Sequence, residues 1–147
     1  MMGERSSRRG ALAGLVALLL AGCGSGSWFG PGVADGTVSG SIAWDEPALL
    51  PPGAVLVVRL EEVSRPGAAP VMIAEQTMEG RERPSPLLFE LRYRGDAISP
   101  EREYFVSAQV LLLERPMLAT ARALPVLTRG RASRGLLVIL QRPDRAG

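Results

Sequence analysis

The sequence predicts an all-β domain, a β-sandwich of about seven short antiparallel strands, carried behind a separate N-terminal export segment. Three observations predict it. Apolar and polar residues alternate with the period of a half-buried strand in run after run. Proline- and glycine-centred turn signals separate those runs at intervals of roughly ten to fifteen residues. No stretch of the mature chain shows a convincing helical repeat.

Taken in order, Thr37–Trp44 places Val38, Ile42 and Trp44 on one face and Thr37, Ser39 and Ser41 on the other. In Ala54–Val63, Leu56, Val58 and Leu60 share a face opposite Val57, Arg59 and Glu61. Val71–Met78 is a third run. Leu87–Tyr93 alternates Leu87, Phe89, Leu91 and Tyr93 with Glu90 and Arg92. Tyr104–Leu112 alternates Tyr104, Val106, Ala108, Val110 and Leu112 with Ser107 and Gln109. Met117–Ala123 and Leu136–Gln141 complete the set. The breaks fall at Pro51-Pro52-Gly53, Pro66-Gly67, Gly80, Pro84 and Pro86, Gly95-Asp96, Ser99-Pro100 and Arg129-Gly130. Each supplies a fixed or positive φ, or a short side chain that bonds its own backbone.

The N-terminus follows different rules. Arg5, Arg8 and Arg9 precede an uncharged run, Gly10 to Ala21. As a helix that run spans roughly 18 Å, short of the ~30 Å hydrocarbon core, so it suits an export signal better than a membrane span. It ends in Leu20-Ala21-Gly22-Cys23, which resembles the lipobox of bacterial lipoproteins. The resemblance implies a diacylglyceryl group on the Cys23 thiol and cleavage before Cys23. The expected domains are therefore a signal peptide over 1–22, a lipidated Gly/Ser-rich tether over 23–35, the sandwich over 36–142 and a tail over 143–147. Glycine, not aspartate, at position 24 implies the outer membrane by the sorting rule of enteric-type lipoproteins. Trp28 and Phe29 either rest at the membrane interface, which favours amphipathic aromatics, or cap the apolar end of the domain. Arg8-Arg9 reads as ordinary n-region charge more readily than as a twin-arginine signal, because Ala11 stands where that signal prefers a bulky apolar residue.

Composition excludes several function classes. With no histidine and one cysteine, an internal disulfide, a Cys/His zinc site and His-centred catalysis are all ruled out. All 17 basic residues are arginine, so a serine nucleophile activated by lysine is ruled out too. Glu61-Glu62 are adjacent and point to opposite faces of a strand, which excludes them as a carboxylate pair. No phosphate-binding glycine loop or calcium-loop spacing is present. The sequence thus assigns no catalytic, cofactor-binding or metal-binding residue, and the expectation is a protein that is not an enzyme.

Several segments together resemble a known family. Leu50-Pro51-Pro52-Gly53-Ala54 leads into Arg59-Leu60-Glu61-Glu62-Val63-Ser64-Arg65. Ile73-Ala74-Glu75-Gln76-Thr77, Phe89-Glu90-Leu91, Tyr104 and Pro125-Val126-Leu127-Thr128-Arg129-Gly130 follow in order. This order and spacing is similar to the YbaY-type lipoprotein domain, grouped with the YscW-like pilot lipoproteins of type III secretion, over about residues 36–142. The resemblance implies an Ig-like sandwich on the periplasmic side of a membrane. In secretion-system members it implies a pilotin role, binding a secretin segment and helping it reach the outer membrane.

One segment departs from that pattern. Where such domains carry a polar hairpin turn, this chain reads Leu111-Leu112-Leu113-Glu114-Arg115-Pro116-Met117-Leu118. The simpler reading is a longer strand running into a Pro-broken turn, with half of these side chains in the core. The functional reading is an exposed apolar edge at Leu111 and Leu113 that accepts a partner segment.

Charge is split along the mature chain. Residues 23–114 carry 7 Arg and 13 acids, net −6, and residues 115–147 carry 7 Arg and 1 acid, net +6. Arg129, Arg131 and Arg134 crowd the turn before the last strand. They either meet an anionic partner, whose phosphates or carboxylates suit guanidinium forks, or pair with acids across the sheet. A neutral, exported domain without an aromatic platform is not a nucleic-acid binder. The functional expectation is a lipid-anchored envelope protein, facing the periplasm from the outer membrane, that binds an envelope or secretin-like client. The alternative is a constitutive envelope lipoprotein of structural or stress-related role without a dedicated client.

Overall fold

The computed structural model describes residues 34–63 and 65–143. The signal segment, Cys23 and the tether through residue 33 lie outside the described residues. Eight strands follow one another: β1 Gly36–Ala43, β2 Ala54–Val63, β3 Val71–Glu79, β4 Leu87–Tyr93, β5 Glu103–Leu112, β6 Arg115–Thr120, β7 Leu124–Val126 and β8 Leu136–Gln141. They form two layers. In one, β2 lies between β3 and β5, and β5 is flanked beyond by β6 and β7, all antiparallel. In the other, β1 is flanked by β4, antiparallel, and by β8, parallel. A short β6–β8 pairing, Ala119 with Gln141 and Thr120 with Leu140, joins the layers along one side. The opposite side stays open between the edges of β3 and β4. There the Gln76 Oε1 accepts the Glu90 backbone N–H at 2.9 Å. The result is a sandwich that nearly closes into a barrel.

The all-β sandwich expectation holds, with eight strands in place of about seven and the β1–β8 pair parallel where the expectation is antiparallel throughout. Two further differences are in detail. The run Met117–Ala123 is not one strand. β5 is long enough to take two partners in succession, β6 along its far half and β7 along its near half. Between them Thr120 leaves β5 for β8, and its Oγ1 takes over the ladder: it accepts the Ala108 N–H at 2.8 Å and donates to the Ala108 carbonyl at 2.9 Å. The reading of a Pro-broken turn after Leu112 is also corrected. The turn is Leu113-Glu114, both at positive φ (51° and 62°), the two-residue hairpin geometry whose twist matches its strands. Pro116 sits inside β6, opposite Leu111 at a register shift between Val110 and Leu111, where its missing N–H does not break a regular ladder.

Alternation fills the core. Tyr104, Val106, Ala108 and Val110 of β5 are buried, as are Leu136, Val138 and Leu140 of β8. Val38 and Ile42 of β1 meet Leu56, Val58 and Leu60 of β2 in the same cluster. All of the strands and this cluster lie within one compact unit, Pro31–Gly147, which is what an independently folding domain requires. Among the described residues no buried side-chain polar atom lacks a partner.

Three polar anchors hold the connections between layers. The Tyr104 hydroxyl accepts the Ser99 N–H at 2.8 Å and donates to the Ala97 carbonyl at 3.3 Å, a tyrosine corner that pins the β4–β5 crossover to the core. The buried Trp44 indole N–H donates to the Pro47 carbonyl at 2.8 Å. Glu62, buried beneath the β2–β3 connection, pairs with Arg102 at 2.7 Å, and the Thr128 hydroxyl donates to the Arg102 carbonyl at 2.8 Å.

Two glycines are there for closeness. A Cβ on Gly40 would lie 2.2 Å from the Leu136 carbonyl oxygen, and one on Gly36 would lie 2.2 Å from the Tyr93 ring. Burial first, and then the Asp35 carboxylate, push the Tyr93 phenol above its ordinary value of 10.0.

We expect Gly40→Ala to cost about 3 kcal/mol, since backbone and not a flexible side chain must move. Tyr104→Phe leaves the Ser99 N–H without its acceptor and should cost about 1–3 kcal/mol. Both are read as urea midpoints at unchanged slope; a wild-type midpoint in either variant removes the corresponding account. The raised Tyr93 value means the folded state holds its proton longer. The stability it contributes is whole below pH 10.0 and is lost as pH rises through the higher folded value. Tyr93→Phe should therefore unfold less steeply at alkaline pH, measured by equilibrium denaturation in a pH series.

Candidate functional site

Alternation should leave the outer face of an antiparallel pair polar. The β4–β1–β8 layer breaks that rule. Register sets Leu88 of β4 beside Ser41 of β1, and Ser41 beside Leu137 of β8. One pair further along, Ala43 lies beside Ile139. All three large side chains stand in solvent: Leu88 is 79% exposed, Leu137 55% and Ile139 46%. Small residues on β1 between large ones on its neighbours make a trough. Its upper half is a groove of about 500 Å³ lined by Ser39, Ser41, Leu88, Glu90, Gly135 and Leu136.

The two walls are about two strand spacings apart, roughly 9–10 Å. That is the width of an α-helix with short side chains, or of an extended segment with its flanking residues. The floor offers hydroxyls at Ser39 and Ser41. One rim carries Glu90, paired with Arg92 at 2.6 Å with both side chains largely exposed, a surface pair of little energetic weight. The trough is therefore apolar along its walls and open, with polar groups on its floor and one rim. Among the described residues no group of three or more Cys, Asp or Glu side chains is placed to hold a metal, and on the outer face register sets Ser39 beside Glu90, whose carboxylate is engaged by Arg92.

Sequence reading missed this face. The available signal was Leu136-Leu137-Val138-Ile139-Leu140, apolar at every position, where a strand with one wet face alternates. Leu87-Leu88 gives the same signal on β4.

The residues singled out from sequence fall elsewhere. Leu113 is 86% exposed at the tip of the β5–β6 hairpin, and Leu111 is half-buried in β5. Arg129, Arg131 and Arg134 lie beyond the other end of β5, in the connection from β7 to β8. The structure does not bring the leucines and the arginines together. Arg129 pairs with Glu103 at 2.9 Å, and Arg142 with Glu46 at 3.5 Å, so two late arginines do meet early acids. Arg131 and Arg134 make no ion pair among the described residues. Cys23 lies outside them.

Comparison with known proteins agrees with this architecture. The model of the YscW family, described as the type III secretion system lipoprotein chaperone, matches residues 33–138. The lipoprotein YbaY of Escherichia coli (strain K12) is 25% identical over 109 residues, which span 74% of this chain and 57% of YbaY. The solved structure of an alternative pilotin from the type II secretion system of Vibrio cholerae superposes with a TM-score of 0.65 at 27% identity. That match covers 74% of this chain and 98% of the pilotin.

A face kept for binding contributes little to folding. We expect Leu88→Ser and Leu137→Ser each to change the unfolding free energy by less than about 0.5 kcal/mol. Val138→Ser, one position away but facing inward, should cost about 3 kcal/mol or more. Urea denaturation separates the two classes, and a loss at Leu88 or Leu137 comparable to that at Val138 would mean that the outer face is structural.

Proposed function

The chain belongs to the YscW family of type III secretion system lipoprotein chaperones, and on that premise we propose that it is a lipid-anchored envelope protein whose trough receives an apolar segment of a client. The observation that carries this reading is the row Leu88, Ser41 and Leu137, with Ile139 beside it, left open on a well-packed sheet. Monomeric proteins seldom leave large apolar side chains grouped on one sheet face without a use for them.

Cys23 is the proposed attachment point. Two or three acyl chains at about 0.8 kcal/mol per buried CH₂ hold a protein durably, whereas one holds it marginally. Gly24 supports the outer membrane as its destination. The similar structure is a pilotin of a type II secretion system and the family is named for a type III secretion system chaperone, which supports a client that is itself a secretion-system component. That class is the one we propose here, with a secretin-like subunit as the type case. Such a chaperone works by burial. It covers an apolar segment during transit and releases it when assembly offers a larger apolar surface, and neither step needs a reactive side chain.

The test is photo-crosslinking in cells from a residue placed at Leu137, compared with one at Thr77 on the outer side of β3. We expect a discrete adduct from position 137 and none from 77. Leu88→Glu should reduce it about tenfold, the cost of a charge set against an apolar segment. Cys23→Ala should lose lipid label and membrane association together. Equal labelling from both positions, or none from 137, removes the client reading. A deletion strain with normal secretion but altered permeability would then favour a clientless envelope role.

A further inference from the structure

The end of the domain where the chain enters has its own character. β1 starts at Gly36 under the Tyr93 ring, and the Asp35 carboxylate accepts the Gly95 N–H. Register carries this level across the sandwich. Tyr104, hydrogen-bonded to Ala97 and Ser99, pairs with Glu62, and Glu62 pairs with Val71. The connection from β2 to β3 therefore lies at the entry end, and the β5–β6 hairpin with Leu113 lies at the opposite end.

That connection is unusual for a solvent-facing loop. Arg65-Pro66-Gly67-Ala68 is a type II turn, closed by the Ala68 N–H on the Arg65 carbonyl at 3.1 Å, with Gly67 at φ 81° as the turn requires. From Pro66 to Ala74 no residue is charged, and every residue from Arg65 to Met72 is exposed. Val71 is 53% exposed and Met72 58%. Successive strand residues point to opposite faces, so both faces of the start of β3 stand clear of the protein.

Cationic groups adjoin this apolar loop. A cup of about 530 Å³ is lined by Arg65, Arg102 and Arg129, with Glu101, Glu103 and Phe105. Arg102 and Arg129 spend one edge on Glu62 and Glu103 yet keep side chains 55% and 60% exposed. Arg65 and Arg131 make no ion pair among the described residues. Of the remaining acids at this end, Asp96 pairs with Arg94, Asp35 accepts the Gly95 N–H, and Glu101, in the cup wall, makes no ion pair among the described residues.

We propose that this end of the domain rests on an anionic bilayer surface, the loop Arg65–Met72 seated among the headgroups and the Arg65–Arg102–Arg129 cup on lipid phosphate. The proposal rests on acylation at Cys23. A lipid on Cys23 is joined to the domain at this end, where β1 begins, and a reach of at most about 45 Å leaves the choice of face to the loop and the arginine cup. Apolar side chains beside guanidinium groups are what a headgroup layer accepts, the first by burial and the second by charge and bidentate hydrogen bonding. Seated in this way, the domain turns Leu113 away from the bilayer and leaves the trough facing sideways, open to a client.

The experiment uses the intact lipoprotein reconstituted in phosphatidylethanolamine–phosphatidylglycerol vesicles, with Cys23 acylation checked by mass. Single nitroxide labels are placed at Met72→Cys and Leu113→Cys. At position 72 we expect oxygen, which concentrates in lipid, to relax the label more than a water-soluble nickel chelate does, and the reverse at 113. If label 72 is as aqueous as label 113 on acylated protein, the proposal is overturned while the anchor stands. If mass shows no acyl group, the anchor fails and fragment 31–147 decides the matter. The fragment should co-sediment with phosphatidylglycerol vesicles and not with phosphatidylcholine, and Val71→Ser with Met72→Ser should weaken that binding about tenfold. A fragment that binds neither vesicle overturns the proposal, as does a protein crosslinked from position 72 while its label stays aqueous.

Discussion

The close approach of β8 to Gly40 is the constraint on which the second layer depends. Leu136 crosses β1 with its carbonyl oxygen 2.2 Å from where a side chain on residue 40 would begin. No other residue type allows the last strand to lie parallel to the first at that distance. This pairing unites the two ends of the domain and gives β1 a neighbour on each side. It also sets the register that puts Leu88, Ser41 and Leu137 in one row. A parallel pair formed by strands about a hundred residues apart costs loop entropy before it yields any contact. The apolar run of β8 offsets that cost through the three side chains it sends into the core.

A sandwich this close to a barrel must turn its strands from one layer to the other, and each turn threatens to strand backbone polar groups. Side chains meet the need at each corner. Thr120 replaces the ladder at Ala108, the Tyr104 hydroxyl serves Ser99 and Ala97, and Thr128 serves Arg102. Each bond is worth about a kilocalorie net, but a buried group left bare would cost more. At the open side the Gln76 amide spans the edges of β3 and β4. The edge that stays open is thereby partly covered, which restrains unwanted strand pairing.

The proposed binding surfaces lie where this architecture leaves apolar side chains without a neighbour. The trough lies on a rigid sheet, so its walls are preorganised and an occupant loses little by fitting them. The entry-end loop is different, a turn held by one backbone bond and flanked by arginine. On the proposed reading, one surface serves a client and the other the plane to which the protein is tied. Neither calls for acid–base or metal chemistry, which accords with a chain that contains no histidine or lysine.

Much of this was legible without coordinates. Period-two alternation in Leu87–Tyr93 and Tyr104–Leu112 located strands to within a residue, because burial of one face acts on each residue locally. Pro66-Gly67 and Pro51-Pro52-Gly53 marked turns because their φ preferences are local too. The order of the family segments was equally readable as pattern. The division of Met117–Ala123 into β6 and β7 was not, since it depends on which half of β5 each piece meets. Nor was the trough, because Leu137 and Val138 look alike in sequence and only the pairing of β8 with β1 decides which faces inward. The arginines near position 130 and the leucines near position 112 stood out as candidate sites by composition, yet register sends them to opposite ends. By itself the sequence determined strands, turns and the expected membrane address, all of them short-range properties of the chain. Only the tertiary structure decided which apolar residues remain in water, because exposure belongs to the contacts a residue fails to make.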